Sequence, residues 1–176
     1  MFVRSLLITI FVFNCALAFP APASSIVSVY TDLSPAKCKT IKVTRDPGSS
    51  VQKCAGVAGY KLLVLDDDAR QSVTVVTPDG QEHGLNYWHV VTGYFSSLAK
   101  KAEWRMVKKS GKLAPIALIV RVYENREAPN QRTSYLAVAK ITPERICVTA
   151  KIKASKTANA EARRAADASA AKPCLE

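Results

Sequence analysis

The sequence predicts a mainly β fold, an antiparallel sandwich or barrel of about eight strands with one C-terminal α-helix. Three observations carry that expectation. Runs rich in β-branched and aromatic residues recur along the chain with an apolar period of two. Turn-forming residues separate the runs at short intervals. The character then changes near the C-terminus to an alanine-rich stretch, which favours a helix.

In chain order, Met1–Ala18 has a basic start at Arg4, an apolar run from Leu6 to Phe13 and a small-residue exit at Ala16-Leu17-Ala18. These are the three parts of a secretory signal peptide, with cleavage expected after Ala18. Cys15 falls inside that leader and follows Asn14, so it reads as a bystander rather than a lipid-attachment site. No later segment has the ~20 apolar residues that spanning a bilayer requires, so no transmembrane segment is expected in the mature chain. Residues 19–26, with Pro20 and Pro22, read as an extended arm, and residues 27–176 as a single domain.

The clearest strands are Tyr60–Leu65, Gln71–Thr77, Ile116–Tyr123 and Ser134–Lys140. Cys38–Val43, Val51–Cys54, Glu103–Lys108 and Ile146–Ile152 complete the set. Thr77-Pro78-Asp79-Gly80 and Lys109-Ser110-Gly111-Lys112 are turns. Ile116, Leu118, Val120 and Val122 share one face of their strand, and Ala117, Ile119, Arg121 and Tyr123 the other, the pattern of a central strand. Asn86–Leu98 has no clean period and reads as a long connection between two four-stranded halves. Residues 157–171 form the helix, stopped by Pro173, with Asn159 as the expected N-cap and an Arg163–Asp167 pair at i, i+4 spacing.

Removing the leader leaves Cys38, Cys54, Cys147 and Cys174, an even number that two disulfides would consume. Of the three connectivities, Cys38–Cys54 and Cys147–Cys174 are favoured because each pair brackets a segment able to fold back. If Thr44 and Gly48 flank a three-residue turn, Cys38 falls opposite Cys54 across a hairpin. No two cysteines stand at zinc-ligand spacing, so no metal is expected. Asp66-Asp67-Asp68 lacks the alternate-position spacing of a calcium loop and reads as a solvated turn balanced by Arg70.

Without Arg4 the chain carries 24 basic and 14 acidic residues, a net charge of +10. In an exported protein this points away from nucleic acid and toward an anionic polymer, a lipid surface or an acidic protein, unless the charge is simply spread for solubility. Lys100, Lys101, Arg105, Lys108, Lys109 and Lys112 surround Trp104 with only Glu103 opposing them. Trp104, Arg105, Lys108 and Lys109 are therefore candidate binding residues if Trp104 is exposed; if it is buried, it is core with a charged rim. Tyr87 and Trp88, with Tyr94 and Phe95, gather in the long connection and either line a pocket or form a lid. No nucleophile elbow, phosphate loop or HExxH pair occurs, and no cofactor or catalytic residue is assigned. A hydrolase would have to assemble an unfamiliar site near His83, His89 and Asp79.

The order Tyr30-Thr31-Asp32-Leu33, Cys38, Cys54 with Gly56, Gly59-Tyr60, Asp68-Ala69-Arg70-Gln71-Ser72, Glu103-Trp104-Arg105, Arg121, Ala139-Lys140-Ile141, Cys147 and Pro173-Cys174 resembles a group of small uncharacterised exported proteins of Gram-negative bacteria. The resemblance implies a periplasmic or extracellular disulfide-bonded domain and carries no activity or site residues with it. The expected function is a non-enzymatic envelope protein that binds an acidic partner. The alternatives are a small inhibitor or chaperone-like partner of another exported protein, and the hydrolase.

Overall fold

A computed structural model describes residues 25–46, 48–109, 111–126 and 133–176. The expected leader, and all of the arm but Ser25 and Ile26, lie outside that range. Ten strands form: β1 (Ile26–Asp32), β2 (Lys39–Thr44), β3 (Ser49–Ala55), β4 (Lys61–Asp67), β5 (Arg70–Val76), β6 (Glu82–Gly84), β7 (Ser96–Lys109), β8 (Lys112–Glu124), β9 (Thr133–Ile141) and β10 (Ile146–Lys153). A one-turn helix α1 (Tyr87–Val90) precedes β7, and α2 (Ala158–Asp167) follows β10.

The strands join in the order β10-β9-β8-β7-β5-β4-β3-β2, with β1 added to β7 and β6 to β5. Every pairing is antiparallel except one, the single parallel contact of Arg70 with Ser96 that links β5 to β7. The sheet is therefore mixed. It is not a closed barrel, because its path ends at β2 and β10, which do not pair. About eight strands were expected, and the described residues form ten. All eight expected segments are strands; β1 and the three-residue β6 are additional. The long connection, Asn86–Leu98, holds α1 and the start of β7 and separates six strands from four along the chain; because β1 crosses to β7, the sheet has five strands on either side of the β5–β7 contact rather than four.

One core cluster unites residues of both halves, including Leu62, Val64, Val73 and Val75 from one and Trp104, Leu118, Val120, Val122 and Val148 from the other. A second, smaller cluster lies on the opposite face of β8 and β9, where Ala117, Ile119, Leu136 and Val138 meet Ala158, Ala162 and Ala166 of α2. β8 is thus buried on both faces, as its two apolar rows predict. The alanine stripe at i, i+4, i+8 lets the short helix sit close to the sheet. Such a helix is too short to persist alone, so packing and its tethers hold it.

Both favoured disulfides are present. Cys38 pairs with Cys54 and Cys147 with Cys174. The first depends on register. The β2–β3 connection is one residue longer than expected, setting Thr44 against Ser49, but a bulge between Thr40 and Lys42 takes the extra residue up again. Lys39 then opposes Lys53, and Cys38 reaches Cys54, 4.4 Å away between Cα atoms. Pro47 of the expected turn lies outside the described residues. The Cys147–Cys174 bridge closes a sequence separation of 27 and fixes the segment after α2 against β10, which on chain entropy stabilises by about 3.5 kcal/mol.

Two local readings of α2 are corrected. Thr157, not Asn159, is the N-cap residue. Arg163 and Asp167 do not pair with each other: Arg163 reaches Glu103 and Asp167 reaches Arg105, both on β7. Partially buried partners on the sheet outcompete an exposed intrahelical pair, which is worth only about 0.3–0.5 kcal/mol.

Candidate binding surfaces and clefts

The basic hairpin separates into core, bridge and tip. Trp104 is fully buried; its indole Nε1 donates to Thr31 Oγ1 at 2.9 Å, and its ring lies 6.1 Å from that of Tyr60. It is core and offers no ring to a ligand. Arg105, only 8 % exposed, grips Asp167 with two parallel hydrogen bonds of 2.7 and 2.8 Å and also bonds Ser28. Glu103 accepts from Ser28 and from Arg163, at 2.6 Å each. Burial raises its carboxyl, but the Arg163 and Ser28 hydrogen bonds outweigh this and hold it below the usual glutamate range. Arg105 is thereby occupied in joining β7, β1 and α2, which removes it from the candidate binding residues. Lys108 and Lys109 remain exposed at the tip.

The neighbouring aromatics Tyr87 and Trp88 part company on α1. Tyr87 is 1 % exposed, and its hydroxyl has no hydrogen-bond partner. Burial pushes that hydroxyl well above the ordinary tyrosine range. It too is core and not a binding residue. Trp88 faces outward and flanks one side of Arg70, whose guanidinium carbon lies 5.4 Å from the Trp88 ring and 4.6 Å from Phe95. Arg126 covers Tyr94 at 4.4 Å and bonds the buried Glu124. Next to this group is a cleft of about 390 Å³ lined by Ser97, Tyr123, Glu124, Asn125 and Thr133. The connection therefore carries three exposed rings with two arginines stacked against them, and Tyr87 acts as its anchor.

A basic surface absent from the expected set lies on β2, β3 and β4. Leu62 and Cys54 point into the core, so by alternation Lys53 and Lys61 point away from it. Register sets Lys39 directly against Lys53, Lys42 against Val51, and Lys61 against Ala55, which brings four lysines to one outward face. All four are exposed, and among the described residues none is in an ion pair. The nearest carboxylates on that face stand at its margins: Asp67 is opposite Arg70, and Glu82 is two strands beyond Lys61. The outward face of the other half is where α2 packs. A signal for this surface was present in the chain, because any register that joins Cys38 to Cys54 also sets Lys39 against Lys53.

The two histidines are apart. His89 stacks against Trp88 at 5.0 Å. His83 and Asp79 line a polar cleft of about 290 Å³ together with Tyr60 and Thr142. The hydroxyl of Thr77 bonds Asp79, and this hydrogen bond, more than nearby His83, holds the Asp79 carboxyl below its ordinary value. Thr142 Oγ1 donates to the Arg145 carbonyl at 3.0 Å. The hydroxyls of both threonines in the cleft are thus committed to partners other than His83. Among the described residues no group of three His, Cys, Asp or Glu side chains is placed to hold a metal ion, and no helix is long and apolar enough to cross a membrane. Asp68 pairs with Arg70 at 2.5 Å in the β4–β5 turn, as expected, whereas Asp66 and Asp67 of the expected turn belong to β4.

Comparison with protein-family models, curated proteins and solved structures found no match to this chain.

Proposed function

We propose that this protein is a non-enzymatic binding module of the cell envelope whose acidic partner is an anionic lipid surface, met by the outward face of β2–β4. The observation that carries the reading is the group Lys39, Lys42, Lys53 and Lys61 on one sheet face, none of them in an ion pair among the described residues. Lysines and a bulge on an edge strand also guard against edge-to-edge pairing, and that accounts for Lys39 and Lys42. It does not account for Lys53 and Lys61, which stand on interior strands. A broad sheet face of ammonium groups lacks the bidentate arginines and concavity that single out one small anion. It suits a partner of repeating charge. Ile41, at the bulge of the same edge strand, is 50 % exposed, which favours a surface with an apolar interior over a purely polar polymer. The two disulfides accord with an oxidising, exported setting.

Near an anionic membrane each lysine contributes about 1 kcal/mol, so four contribute about 4 kcal/mol, roughly a thousandfold in partitioning. Co-sedimentation with vesicles of phosphatidylglycerol and phosphatidylcholine at 50 mM and 500 mM salt tests this. Binding should fall with salt and should be lost in K39Q/K42Q/K53Q/K61Q. Retention of that variant on vesicles, or equal binding to purely zwitterionic vesicles, overturns the reading. Salt-sensitive retention on an acidic glycan but not on vesicles would replace lipid by polymer as the partner.

A further inference from the structure

A cleft of about 620 Å³ opens beside the turn end of the β7–β8 hairpin, where loops from both halves of the sheet meet. Its volume lies within the range of small-molecule sites. One wall is the hairpin, with Val107, Leu113 and Ile116; the other is formed by Tyr60 and Pro143. Tyr60 is set there by the β3–β4 turn, in which a Cβ on Gly56 would meet the Tyr60 carbonyl oxygen at 2.5 Å, so glycine is required for the chain to close. Behind Tyr60 stands the Trp104 ring of the core, so the wall is rigid.

Lys109 and Lys112 also line this cleft. They are direct cross-strand partners at the end of the hairpin, both exposed, and among the described residues neither has an ion-pair partner. Like charges opposed in this way destabilise a hairpin, so an anion shared between them gains twice. No carboxylate lines the cleft. Asp79 lies on the far side of Tyr60, in the adjoining polar cleft, where it raises the Tyr60 hydroxyl together with the larger effect of burial. An anion is therefore repelled from that end and attracted to the lysine end. Lys109 and Lys112 share their face of the hairpin with Val107 and Ala114, which also line the cleft, so two cationic side chains adjoin an apolar stretch of the same wall.

We propose that this cleft binds a free long-chain carboxylate, its head between Lys109 and Lys112 and its alkyl chain against Val107, Ala114 and Ile116. The site shares no residue with the β2–β4 lysine face, so each reading can fail without the other. Calorimetric titration of the full chain with sodium dodecanoate below its micelle concentration tests it, with dodecyltrimethylammonium and dodecyl maltoside as cationic and neutral controls. Dodecanoate should saturate at one per chain, and K109Q/K112Q should weaken it at least about tenfold. A114D, at a partly exposed wall position, should weaken it as well while leaving the far-ultraviolet circular dichroism unchanged. K39Q/K42Q/K53Q/K61Q should bind dodecanoate like the parent chain. Absence of saturable binding, equal affinity for all three amphiphiles, or loss in the β2–β4 variant rather than in K109Q/K112Q would overturn the proposal.

Discussion

The tie between α2 and the sheet makes the sharpest stability prediction. Arg105 holds Asp167 through two parallel hydrogen bonds of 2.7 and 2.8 Å, and the side chains are 10 % and 31 % exposed. Asp167→Ala strands a guanidinium that is almost out of water, with Ser28 and a carboxylate oxygen of Glu103 at 3.9 Å as its remaining company. Breaking a buried pair from one side costs about 3–5 kcal/mol; since Glu103 stays nearby but is already engaged by Arg163, the lower end, about 3 kcal/mol, is expected. For a domain of this size that is a fall in Tm of about 6–12 °C. Arg105→Leu alone should cost less, because the carboxylate left behind sits at the helix edge and can rehydrate. Arg105→Leu with Asp167→Ala removes both charges and should return to within about 1 kcal/mol of the parent. Urea unfolding at pH 7 with disulfides intact would measure all three, provided the m-value is unchanged. An Asp167→Ala variant within about 0.5 kcal/mol of the parent, or a double variant as unstable as the sum of the singles, would refute the argument.

Tyr87→Phe should raise stability by about 1 kcal/mol, because it removes a buried hydroxyl without a partner and keeps the ring; a denaturant midpoint shifted downward would show that the hydroxyl is satisfied in solution. Acid should destabilise the fold. Burial raises the carboxyls of Glu103 and Glu124, but hydrogen bonds from Arg163 and Ser28 in the first case, and from Thr92 and Arg126 in the second, more than offset it, so both lie below their ordinary values in the folded chain. A carboxyl depressed in this way contributes stability that is complete above its unfolded value, about 4.3, and is lost as the pH falls through the folded one. Melting temperature should therefore decline on acidification below about pH 4, less steeply in Glu124→Gln, and a melting temperature that stays level down to pH 2.5 would contradict the assignment.

What could be read from the chain was local or periodic. The two apolar rows of β8 lie on two faces, and they are buried on both because the strand is central. The alanine run became a helix because nothing in it resists one. The Cys38–Cys54 hairpin was legible from spacing alone, even though a longer turn and a bulge reach the same register by another route. β1 was not legible, since seven residues after a proline-containing stretch carry a weak pattern, yet Thr31 on that strand satisfies the Trp104 indole. The fate of Arg105 was equally out of reach. Its charge resembles that of Lys108 in sequence, and only the arrival of Asp167, 62 residues away, makes one a structural tie and leaves the other in water. Tyr87 and Trp88 show the same limit at shorter range, for adjacent residues on a single helical turn have opposite fates set by which side meets β5.

Several charges of the sheet are answered within the protein. Asp32 meets Lys101, Arg70 meets Asp68, Glu103 meets Arg163 and Arg105 meets Asp167. Against that background the register opposes lysine to lysine in two places, Lys39 with Lys53 and Lys109 with Lys112. Each opposition costs a few tenths of a kcal/mol that an acidic or neutral partner at one position would avoid. The relief available from an external anion is therefore largest where the chain supplies no counter-charge of its own. Any ligand that binds only the folded state adds stability by mass action. The two lysine oppositions are thus the points at which an anionic surface or a carboxylate would couple most strongly to the stability of the fold, one across a broad sheet face and the other at the mouth of a cleft.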